Sequence, residues 1–437
     1  MTKQGHEVRI LTVSDQYASY QKDNVYYMKS VPAKIYPDIR IPVSKCADYI
    51  EELIRWKPDV VHSQCEFFSF GYAKKIVKAT GAVFIHTYHT LYEQYTEYVP
   101  IGKTLSRAAL GKWIKLRLRN VDTIIAPTKK VEYALLEYGM ENNIQIIPSG
   151  IQIDRFFKKE EAEITKRLKE KYQIPEDKTV LLSLGRLGFE KRIDELLRGM
   201  KALLSKRQDV VLLIVGGGPA RGSLEQLAKE LGIERSVRFA GMVNPNEVAD
   251  YYKLGDIFTC ASTSETQGLT YIEAMASGIP AVARYDKNLE DVIDDGVNGY
   301  FFKETSELVE ILLKLINHNY SKMAEAAYLS AMKFSSEVFY EKVIAVYQQA
   351  INSKHYSYTV KSIYPVKRGI NEVVFLFDES EIIVEVNDKL IKAYQLEPNK
   401  VIDKELFDVL KDFEQVSRAY NKALKLLTVK DYTYNQL

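Results

Sequence analysis

The sequence predicts an α/β protein with two Rossmann-like domains, each built on a parallel β-sheet. Short runs of Val, Ile and Leu alternate with segments of helical periodicity along most of the chain. This alternation is typical of strand–helix–strand units, which are joined by right-handed crossovers. Because the alternation occurs in two successive series, we expect two sheets that face a cleft at the carboxyl ends of their strands.

The predicted strands of both series are short apolar runs. In the first series they are residues 8–13, 60–62, 82–86, 123–126 and 145–147, with helices such as 46–55 between them. In the second series they are residues 179–184, 210–215, 237–240, 257–261 and 281–283. The charged segment 158–171 is the predicted linker between the two series.

The composition agrees with this fold without selecting a function. The 437 residues suffice for two or three domains, and 60 basic against 58 acidic residues leave a net charge of +2, so attraction to nucleic acid is not indicated. The widely spaced cysteines Cys46, Cys65 and Cys260 fit a reducing cytosol better than a disulfide framework or a zinc site. No apolar run has membrane-spanning length, so we expect any membrane contact to be peripheral.

Two glutamates, Glu265 and Glu273, lie on either side of a glycine that begins a predicted helix at residues 269–277. A loop thus leads from a strand onto a helix N-terminus, where unpaired backbone amides and the helix dipole favour anions. We expect the two carboxylates to bind the hexose and the ribose of one nucleotide sugar, although two surface glutamates of an ordinary strand–loop–helix unit fit the same spacing. The amides expected to bind its diphosphate are those of Gly268, Leu269 and Thr270.

Two cations, Arg186 and Lys191, follow the predicted strand 179–184. An arginine can form paired hydrogen bonds with phosphate oxygens, and a lysine supplies a compact positive charge. With the helix N-terminus they would neutralise a leaving nucleoside diphosphate without a metal, and the chain contains no Asp-x-Asp pair that would hold one. Gly217 is a further candidate contact to the nucleotide, although a glycine run after a strand is equally compatible with a tight turn.

These motifs resemble those of the retaining glycosyltransferases of family 4, which have the two-domain GT-B fold. Further segments match the family in order: Gly5-His6-Glu7-Val8, residues 122–128, residues 147–151 with Asp154 and Phe156, and residues 213–219. Residues 83–95, 239–252 and the Thr-Gln-Gly-Leu-Thr sequence at 266–270 look like bacterial diacylglycerol glucosyltransferases. The resemblance covers roughly residues 5–350. It implies retaining transfer of glucose from UDP-glucose to diacylglycerol, with the UDP-sugar as donor substrate and no cofactor.

The resemblance also implies that the two domains bind different substrates. Residues 1–157 would form the acceptor-side domain and residues 158–334 the nucleotide-sugar domain, while a helix at 335–353 would cross back to the first domain. Family members have a strand, a glycine-containing loop and a helix before the segment that matches Gly5. On this comparison either the sequence is part of a longer protein, which is the favoured alternative, or it is a shortened copy. If translation begins at Met1, we expect the first domain to lack a central strand, its neighbours to expose unpaired edges, and the chain to bind UDP while transferring sugar poorly or not at all.

His89 is the catalytic candidate of the first domain, because it follows a predicted strand and should emerge at the cleft. A lone histidine is otherwise more often a packed core or surface residue. The resemblance implies that His89 lies beside the transferred sugar, that Glu265 holds sugar hydroxyls, and that the leaving phosphate acts as the base for same-face attack. We expect His86 to pack within its strand. The residues that would line a lipid-side groove, or only pack, are Tyr92, Glu93, Tyr95 and Tyr98.

The segment 102–121 contains six cations and no acidic residue. Lys112, Lys115 and Arg119 share one helical stripe, and Trp113 suits the headgroup boundary, so the segment is a candidate contact with an anionic membrane surface. A solvated basic helix packed on its own domain is the alternative. The first interpretation predicts a cytoplasmic protein that associates peripherally with the inner face of the plasma membrane.

Residues 354–437 are predicted to form a separate α+β module. It has strands at 358–366, 372–377 and 381–386, a turn at 378–380, and helices at 388–394 and 403–427. The pattern loosely resembles the N-terminal part of the RecX recombination regulators and predicts a docking or regulatory role with a protein partner. A non-catalytic GT-B protein that binds a partner through this module, or a family 4 transferase with another acceptor, therefore remains an alternative function.

Overall fold

The computed structural model describes residues 1–33, 36–43, 47–91, 107–157, 162–318, 320–355, 359–363, 373–377 and 383–386. The chain divides into two compact units, Met1–Val346 and Tyr347–Leu437. The predictions that concern Cys46, the linker residues 158–161 and the groove residues 92–98 lie outside the described residues.

The amino-terminal half of the first unit contains short strands in three sheets. Its strands are β1 Ile10–Val13, β2 Tyr20–Lys22, β3 Val25–Met28, β4 Ser30–Ala33, β5 Tyr36–Pro42, β6 Val60–Ser63, β7 Val83–Thr87, β8 Thr123–Ala126 and β9 Asn143–Ile146. Its helices are α1 Ala47–Trp56, α2 Phe68–Thr80, α3 Arg107–Leu118, α4 Lys129–Glu137 and α5 Ile153–Phe156. Strands β6 to β9 form a parallel sheet in sequence order.

The first predicted strand does not join that parallel sheet. β1 pairs in parallel with β3, which pairs in turn with antiparallel β2, and β4 and β5 form a separate antiparallel pair. The first predicted series is therefore divided between two sheets, with β1 and β6 at sheet edges. The backbone groups of β1 find their partners in β3, which was not among the predicted strands because its four residues include two tyrosines rather than a run of Val, Ile and Leu.

The carboxyl-terminal half is built on one six-stranded parallel sheet. Its strands are β10 Thr179–Leu184, β11 Val210–Val215, β12 Val237–Gly241, β13 Ile257–Cys260, β14 Ala281–Arg284 and β15 Gly299–Phe302. Its helices are α6 Ala162–Lys171, α7 Ile193–Leu204, α8 Arg221–Glu230, α9 Val248–Leu254, α10 Leu269–Ala276, α11 Thr305–Asn317, α12 Ser321–Ala331 and α13 Ser336–His355, the last of which continues into the second unit. The strand order is β12-β11-β10-β13-β14-β15.

The core lies on both faces of this sheet, because successive residues of a strand point to opposite faces. Leu182, Val211 and Leu213 pack on one face, and Leu181 and Leu212 pack on the other. β10 and β13, the central strands, place their carboxyl ends side by side, and the loops that follow them carry Arg186 and Glu265. The edge strand β15 was not predicted, since it has only four residues and begins with glycine.

The chain returns to the amino-terminal half at the start of α13. Ile151 N donates to Phe334 O at 2.8 Å, and Ser336 N donates to Ile151 O at 2.8 Å. Within α13, the hydroxyl of Tyr340 lies 2.9 Å from Nε2 of His6. These contacts tie the carboxyl end of the carboxyl-terminal half to the amino-terminal half.

The second unit contains three described strands, β16 Thr359–Ile363, β17 Val373–Phe377 and β18 Ile383–Val386. They form an antiparallel sheet in the order β16-β17-β18. The predicted turn and the two helices that follow lie outside the described residues, and the RecX resemblance and the docking role stay predictions. Within the described part of the chain, no helix combines the length and the apolar character needed to cross a membrane.

Candidate active site

A cavity of about 440 Å³ lies where the loops after the strands of the two halves meet. His89 and Ser149 line it from the amino-terminal half, and the loops after β10 and β13 line it from the other half. It brings together seven of the nine predicted site residues, namely His89, Arg186, Lys191, Glu265, Gly268, Leu269 and Thr270. Glu273 and Gly217 are not among its lining residues.

Each predicted cation of the cavity is paired with a carboxylate. Arg186 Nη2 lies 2.7 Å from Oε1 of Glu190, four residues along the chain. Lys191 Nζ lies 2.7 Å from Glu265 Oε1 and 3.5 Å from Ser262 Oγ. The loop after β10 therefore presents two positive groups at the strand ends, and the two carboxylates hold them in place.

The loop that carries Glu265 is fixed from several directions. Glu265 is buried, and its backbone oxygen accepts a hydrogen bond of 2.9 Å from Asn288 Nδ2. The next residue, Thr266, accepts a hydrogen bond of 3.0 Å from Thr128 Oγ1 of the amino-terminal half. Side-chain and backbone contacts thus determine where the Glu265 carboxylate points.

The helix N-terminus at the cavity requires glycine at position 268. Gly268 has φ of 76°, and a Cβ there would lie 2.5 Å from Leu289 Cδ2. The first hydrogen bond of α10 runs from Tyr271 N to Gly268 O at 3.0 Å, so the amides of Gly268, Leu269 and Thr270 precede the hydrogen-bonded turn. These amides open onto the cavity at the positive end of the helix, where anions bind favourably.

Glu273 is turned away from the cavity towards a tyrosine. Its Oε2 accepts a hydrogen bond of 2.7 Å from the hydroxyl of Tyr252, which is fully buried. Burial raises the pKa of Glu273, and the Tyr252 hydrogen bond and the positive charge of Arg155 offset part of that increase. The structure therefore holds Glu273 one turn into α10, behind the helix N-terminus that faces the cavity.

Gly217 supports the loop that carries Arg186. Its carbonyl oxygen accepts a hydrogen bond of 2.8 Å from Leu187 N. A Cβ on its neighbour Gly216 would lie only 1.9 Å from Gly185 O, and one on Gly218 would lie 2.5 Å from Leu187 O. The glycine run thus lets the loops after β10 and β11 pack backbone against backbone.

His89 occupies the opposite wall of the cavity and belongs to a hydrogen-bonded group of polar side chains. His89 Nε2 lies 2.6 Å from Gln64 Oε1, and Gln64 Nε2 lies 3.0 Å from His62 Nε2. Desolvation by the surrounding protein lowers the pKa of His89, opposed by the negative charge of Glu66 and reinforced by His86. His86 is fully buried in β7, with its ring nitrogens 2.7 Å from Ser63 Oγ and 3.2 Å from Glu66 Oε1.

Comparison with known proteins decides which family this site belongs to. The model of Glycosyltransferase Family 4 matches residues 1–155, and the model of glycosyl transferases group 1 matches residues 164–330. The alpha-monoglucosyldiacylglycerol synthase of Streptococcus pneumoniae R6 is 31% identical over 401 residues, which are 90% of this chain and 90% of that protein. The protein of the same name from Acholeplasma laidlawii is 30% identical over 367 residues, 80% of this chain and 91% of its own.

The chain is a family 4 glycosyltransferase. Its fold is similar to that of sucrose-phosphate synthase from Thermosynechococcus elongatus, with a TM-score of 0.63 and 19% identity over 80% of this chain and 91% of that one. Anabaena HepE in complex with UDP and glucose gives a TM-score of 0.59 at 18% identity, over 70% of this chain and 84% of that one. The predicted GT-B fold and the prediction of a hexosyltransferase are confirmed.

Three residues of the glycosyltransferase site, Gln267, Glu190 and Gln64, were not predicted from its sequence. Gln267 Oε1 accepts a hydrogen bond of 2.8 Å from Ser149 N, and its Nε2 donates one of 3.0 Å to Ser149 O, which joins the two halves. Glu190 and Gln64 are the other two residues. Glu190 directly precedes Lys191 in the same motif, so its role could have been inferred from the sequence. Gln64 and His89 come together only in the folded sheet.

In the described part of the glycosyltransferase, no three His, Cys, Asp or Glu side chains are grouped so that they could hold a metal ion. The groups that face the cavity are two cations, two carboxylates, one histidine and the helix N-terminus. Such a set can bind a doubly charged anion beside a polyhydroxylated ring.

Proposed function

We propose that this glycosyltransferase transfers glucose from UDP-glucose to diacylglycerol with retention of the anomeric configuration, at the cytoplasmic face of the membrane. The observation that carries the proposal is the cavity in which Arg186, Lys191 and the N-terminus of α10 face His89. The relatives named alpha-monoglucosyldiacylglycerol synthase support glucose as the sugar and a diacylglycerol as the acceptor.

The donor diphosphate is assigned to the N-terminus of α10. The amides of Gly268, Leu269 and Thr270 would donate to its oxygens, and Arg186 and Lys191 would offset the charge that grows as UDP departs. Because each of the two cations already forms an ion pair with a carboxylate, Arg186 would contact both Glu190 and the diphosphate. The uridine ribose is assigned to Glu273, which requires that carboxylate to exchange its Tyr252 contact for ribose hydroxyls.

Retention follows if the acceptor attacks the face from which the diphosphate leaves. The acceptor oxygen forms a bond to the anomeric carbon while the bond between that carbon and the diphosphate oxygen breaks. The proton of the acceptor hydroxyl passes to the departing diphosphate, so no protein nucleophile or metal is required. Glu265, held by Lys191, and His89 would orient the hydroxyl groups of the transferred sugar.

The membrane contact is assigned to the exposed face of α3. Trp113 and Leu116 are exposed there, and the exposed ring of Phe67 contacts Trp113 with ring centroids 5.8 Å apart. Lys112 is exposed on the same helix, and Arg119 is exposed directly after its last residue. Aromatic and aliphatic side chains beside cations are typical of surfaces that lie in the interface of an anionic bilayer.

Product analysis tests the proposal. The protein would be incubated with vesicles that contain diacylglycerol and phosphatidylglycerol, separately with UDP-glucose, UDP-galactose and UDP-N-acetylglucosamine. We expect a monoglucosyl lipid with the α-linkage of the donor, formed in the presence of a chelator. Formation of a β-linked product would contradict retention, and transfer only from another donor or only to a soluble acceptor would contradict the substrate assignment.

A further inference from the structure

Two side chains, His62 of β6 and Gln64 in the loop after it, connect β6 to His89 by hydrogen bonds, and Thr87 of β7 also contacts His62. Thr87 Oγ1 lies 2.7 Å from His62 Nε2, and Gln64 Nε2 lies 3.0 Å from the same nitrogen. At its other end the Gln64 amide places Oε1 2.6 Å from His89 Nε2. Gln64 therefore bridges two histidines, one inside the sheet and one at the cavity.

The chemistry of an amide determines where the protons are. The NH₂ group of Gln64 can only donate, so His62 Nε2 must present a lone pair, and the proton of this imidazole is on Nδ1. The Thr87 hydroxyl can donate to the same lone pair. Burial, with the charges of His86 and His89, lowers the pKa of His62 to about 3, so His62 stays neutral at physiological pH.

The other end of the amide has the opposite polarity. The carbonyl oxygen Oε1 can only accept, so His89 Nε2 must carry a proton. A neutral His89 then has its lone pair on Nδ1. Among the described residues, Gln64 is the one side chain for which the structure records a hydrogen bond to His89, and His89 is exposed at the cavity wall.

We propose that Gln64 is a positioning residue that holds His89 in the Nε2–H tautomer, so that His89 Nδ1 accepts a hydrogen bond from a hydroxyl group of a substrate in the cavity. The proposal rests on the proposed function only for the nature of that substrate. The hydroxyl belongs to the transferred hexose or to the lipid acceptor, which have the same hydrogen-bonding chemistry. Gln64 acts through His89, and His89 makes the contact.

Protonation of His89 removes this function, because an imidazolium donates from both nitrogens and accepts from neither. The titratable and charged groups around His89 come from several elements. They are His62 of β6, Glu66 in the loop after β6, His86 of β7, and Arg186, Glu190, Lys191 and Glu265 across the cavity, and of these Glu66 raises and His86 lowers the pKa of His89. Desolvation by the surrounding protein outweighs the negative charge of Glu66 and lowers the pKa of His89, which favours the neutral form.

The tautomer is measured directly by ¹⁵N NMR of the full chain labelled at its six histidines, with His89→Asn used to assign the signals. We expect His89 to show a protonated Nε2 and an unprotonated Nδ1. In Gln64→Met, which keeps the side-chain length but lacks the amide, we expect a mixture of tautomers. A proton on Nδ1 in the wild type, or an unchanged tautomer in Gln64→Met, would overturn the proposal.

Gln64→Glu supplies a matched test, because a carboxylate restores an acceptor to His89 Nε2 and adds a negative charge. We expect its His89 pKa to rise and the acid limb of the pH–rate profile to move to higher pH, while kcat at alkaline pH stays near that of the wild type. Gln64→Met should lose about tenfold in kcat at all pH values. Gln226→Met, an exposed glutamine of α8, is the control.

Substrate titrations identify the source of the hydroxyl. A rise in KM for UDP-glucose in Gln64→Met would assign it to the hexose, and a rise in KM for diacylglycerol would assign it to the acceptor. Full kcat and both KM values retained in Gln64→Met would refute the catalytic role. If no donor and acceptor pair gives product, the proposed function fails, and the NMR result still decides whether Gln64 fixes the tautomer.

Discussion

Arg186 and Lys191 are the cations assigned to the donor diphosphate, and each is held by a carboxylate within the same cavity. The side chains of these carboxylates, Glu190 and Glu265, are only 16% and 10% exposed. Because little water surrounds either pair, the charges are weakly screened. Removal of one partner therefore leaves an uncompensated charge in a partly desolvated site, which makes each position sensitive to substitution.

We expect Arg186→Ala to reduce turnover by about 100-fold or more, because the variant loses charge-assisted hydrogen bonds to the departing diphosphate. Glu265→Gln should also reduce turnover sharply, since an amide cannot form the ion pair with Lys191. Glucolipid formation measures both effects, and Arg198→Ala, an exposed cation of α7, is the matched control. Unchanged turnover in both site variants would refute the assignment of the site.

The low pKa of His62 predicts that the stability of the folded protein falls at acid pH. The pKa of His62 is about 3 in the folded protein, against about 6.5 in an unfolded chain. Below pH 6.5 the unfolded state therefore binds a proton that the folded state does not, and stability falls as the pH decreases towards 3. Between pH 7 and pH 5 this one group should cost about 2 kcal/mol.

Denaturant unfolding at pH 7 and pH 5 measures this cost, with His62→Asn as the variant that has no group to protonate. We expect the loss of unfolding free energy between the two pH values to be smaller in His62→Asn than in the wild type. The comparison at two pH values separates protonation from the packing change that the substitution itself causes. An equal pH dependence of the two proteins would show that the fold does not hold His62 in its neutral form.

At the scale of a single element, α3 shows how one helix serves both the core and the surface. Ile114 and Leu118 are fully buried, and Leu110 packs against the same core cluster. In the sequence these three residues interrupt the basic stripe and weaken the interfacial pattern, but in the structure they are the stripe that anchors the helix. The exposed side is left with Trp113 and Leu116 beside its cations.

We expect binding of the protein to vesicles to require anionic lipid and to weaken as salt increases, because exposed charges are screened over roughly 8 Å at physiological ionic strength. Changing Lys112, Lys115 and Arg119 together to Gln should reproduce the high-salt result. Lys115 should contribute least, since it lies 2.7 Å from Glu141 Oε1. Vesicle co-sedimentation is the measurement.

The control for this experiment is a triple variant with the same loss of charge elsewhere, in which Lys201, Lys229 and Lys322 are changed to Gln. These lysines are exposed on helices of the carboxyl-terminal half. We expect the control to bind as the wild type does. Binding of the α3 variant to neutral and anionic vesicles with equal, wild-type strength would assign α3 to packing alone.

Strands that are buried on both faces were predicted with the most accurate bounds. The predicted bounds agree with the structure for three strands, 179–184, 210–215 and 123–126. Strands that are covered on both faces of a parallel sheet consist of continuous apolar runs, which are easy to recognise in a sequence. The strands β2 to β5 carry no such signal, since β2, β4 and β5 contain polar residues or proline and half of β3 is tyrosine. Their pairing with β1 depends on contacts that no local pattern expresses.

The same distinction holds for the site. Arg186, Lys191, Glu265 and Gly268 were identified because they lie within contiguous motifs that follow strands. Gln64 could not be found in this way, because its partner His89 is 25 residues away and the two meet only when β6 and β7 pair. Glu273 lies in a motif, yet its contact with Tyr252 depends on the packing of α9 beside α10.

At the scale of the whole first unit, the two halves are joined across the cavity by the loop that carries Glu265. The amide of Gln267 forms two hydrogen bonds with the backbone of Ser149, and Thr128 donates to the backbone of Thr266. The residue that would hold the sugar is thus connected through its own loop to the half that carries His89. Displacement of one half relative to the other would move Glu265.

We expect Gln267→Met to lower kcat by about tenfold while UDP affinity changes little, because both hydrogen bonds to Ser149 are lost but Arg186 and α10 remain in place. Turnover and calorimetric titration with UDP measure the two quantities. Gln226→Met is the control for the same change of side chain at an exposed site. A parallel loss of UDP affinity would show that Gln267 supports the nucleotide side rather than the alignment of the two halves.

The close packing of the glycine run, residues 216–218, against the loop after β10 limits which positions can be mutated to change the donor specificity of the enzyme. Any side chain at position 216 or 218 would collide with a carbonyl oxygen of the neighbouring loop, so a randomised library that includes these codons would lose most of its members to misfolding. Met242, 77% exposed and within contact of a side chain placed at Gly217, has no such restriction. Selection experiments should therefore leave Gly216 and Gly218 fixed, whereas position 242 can be varied without loss of the fold.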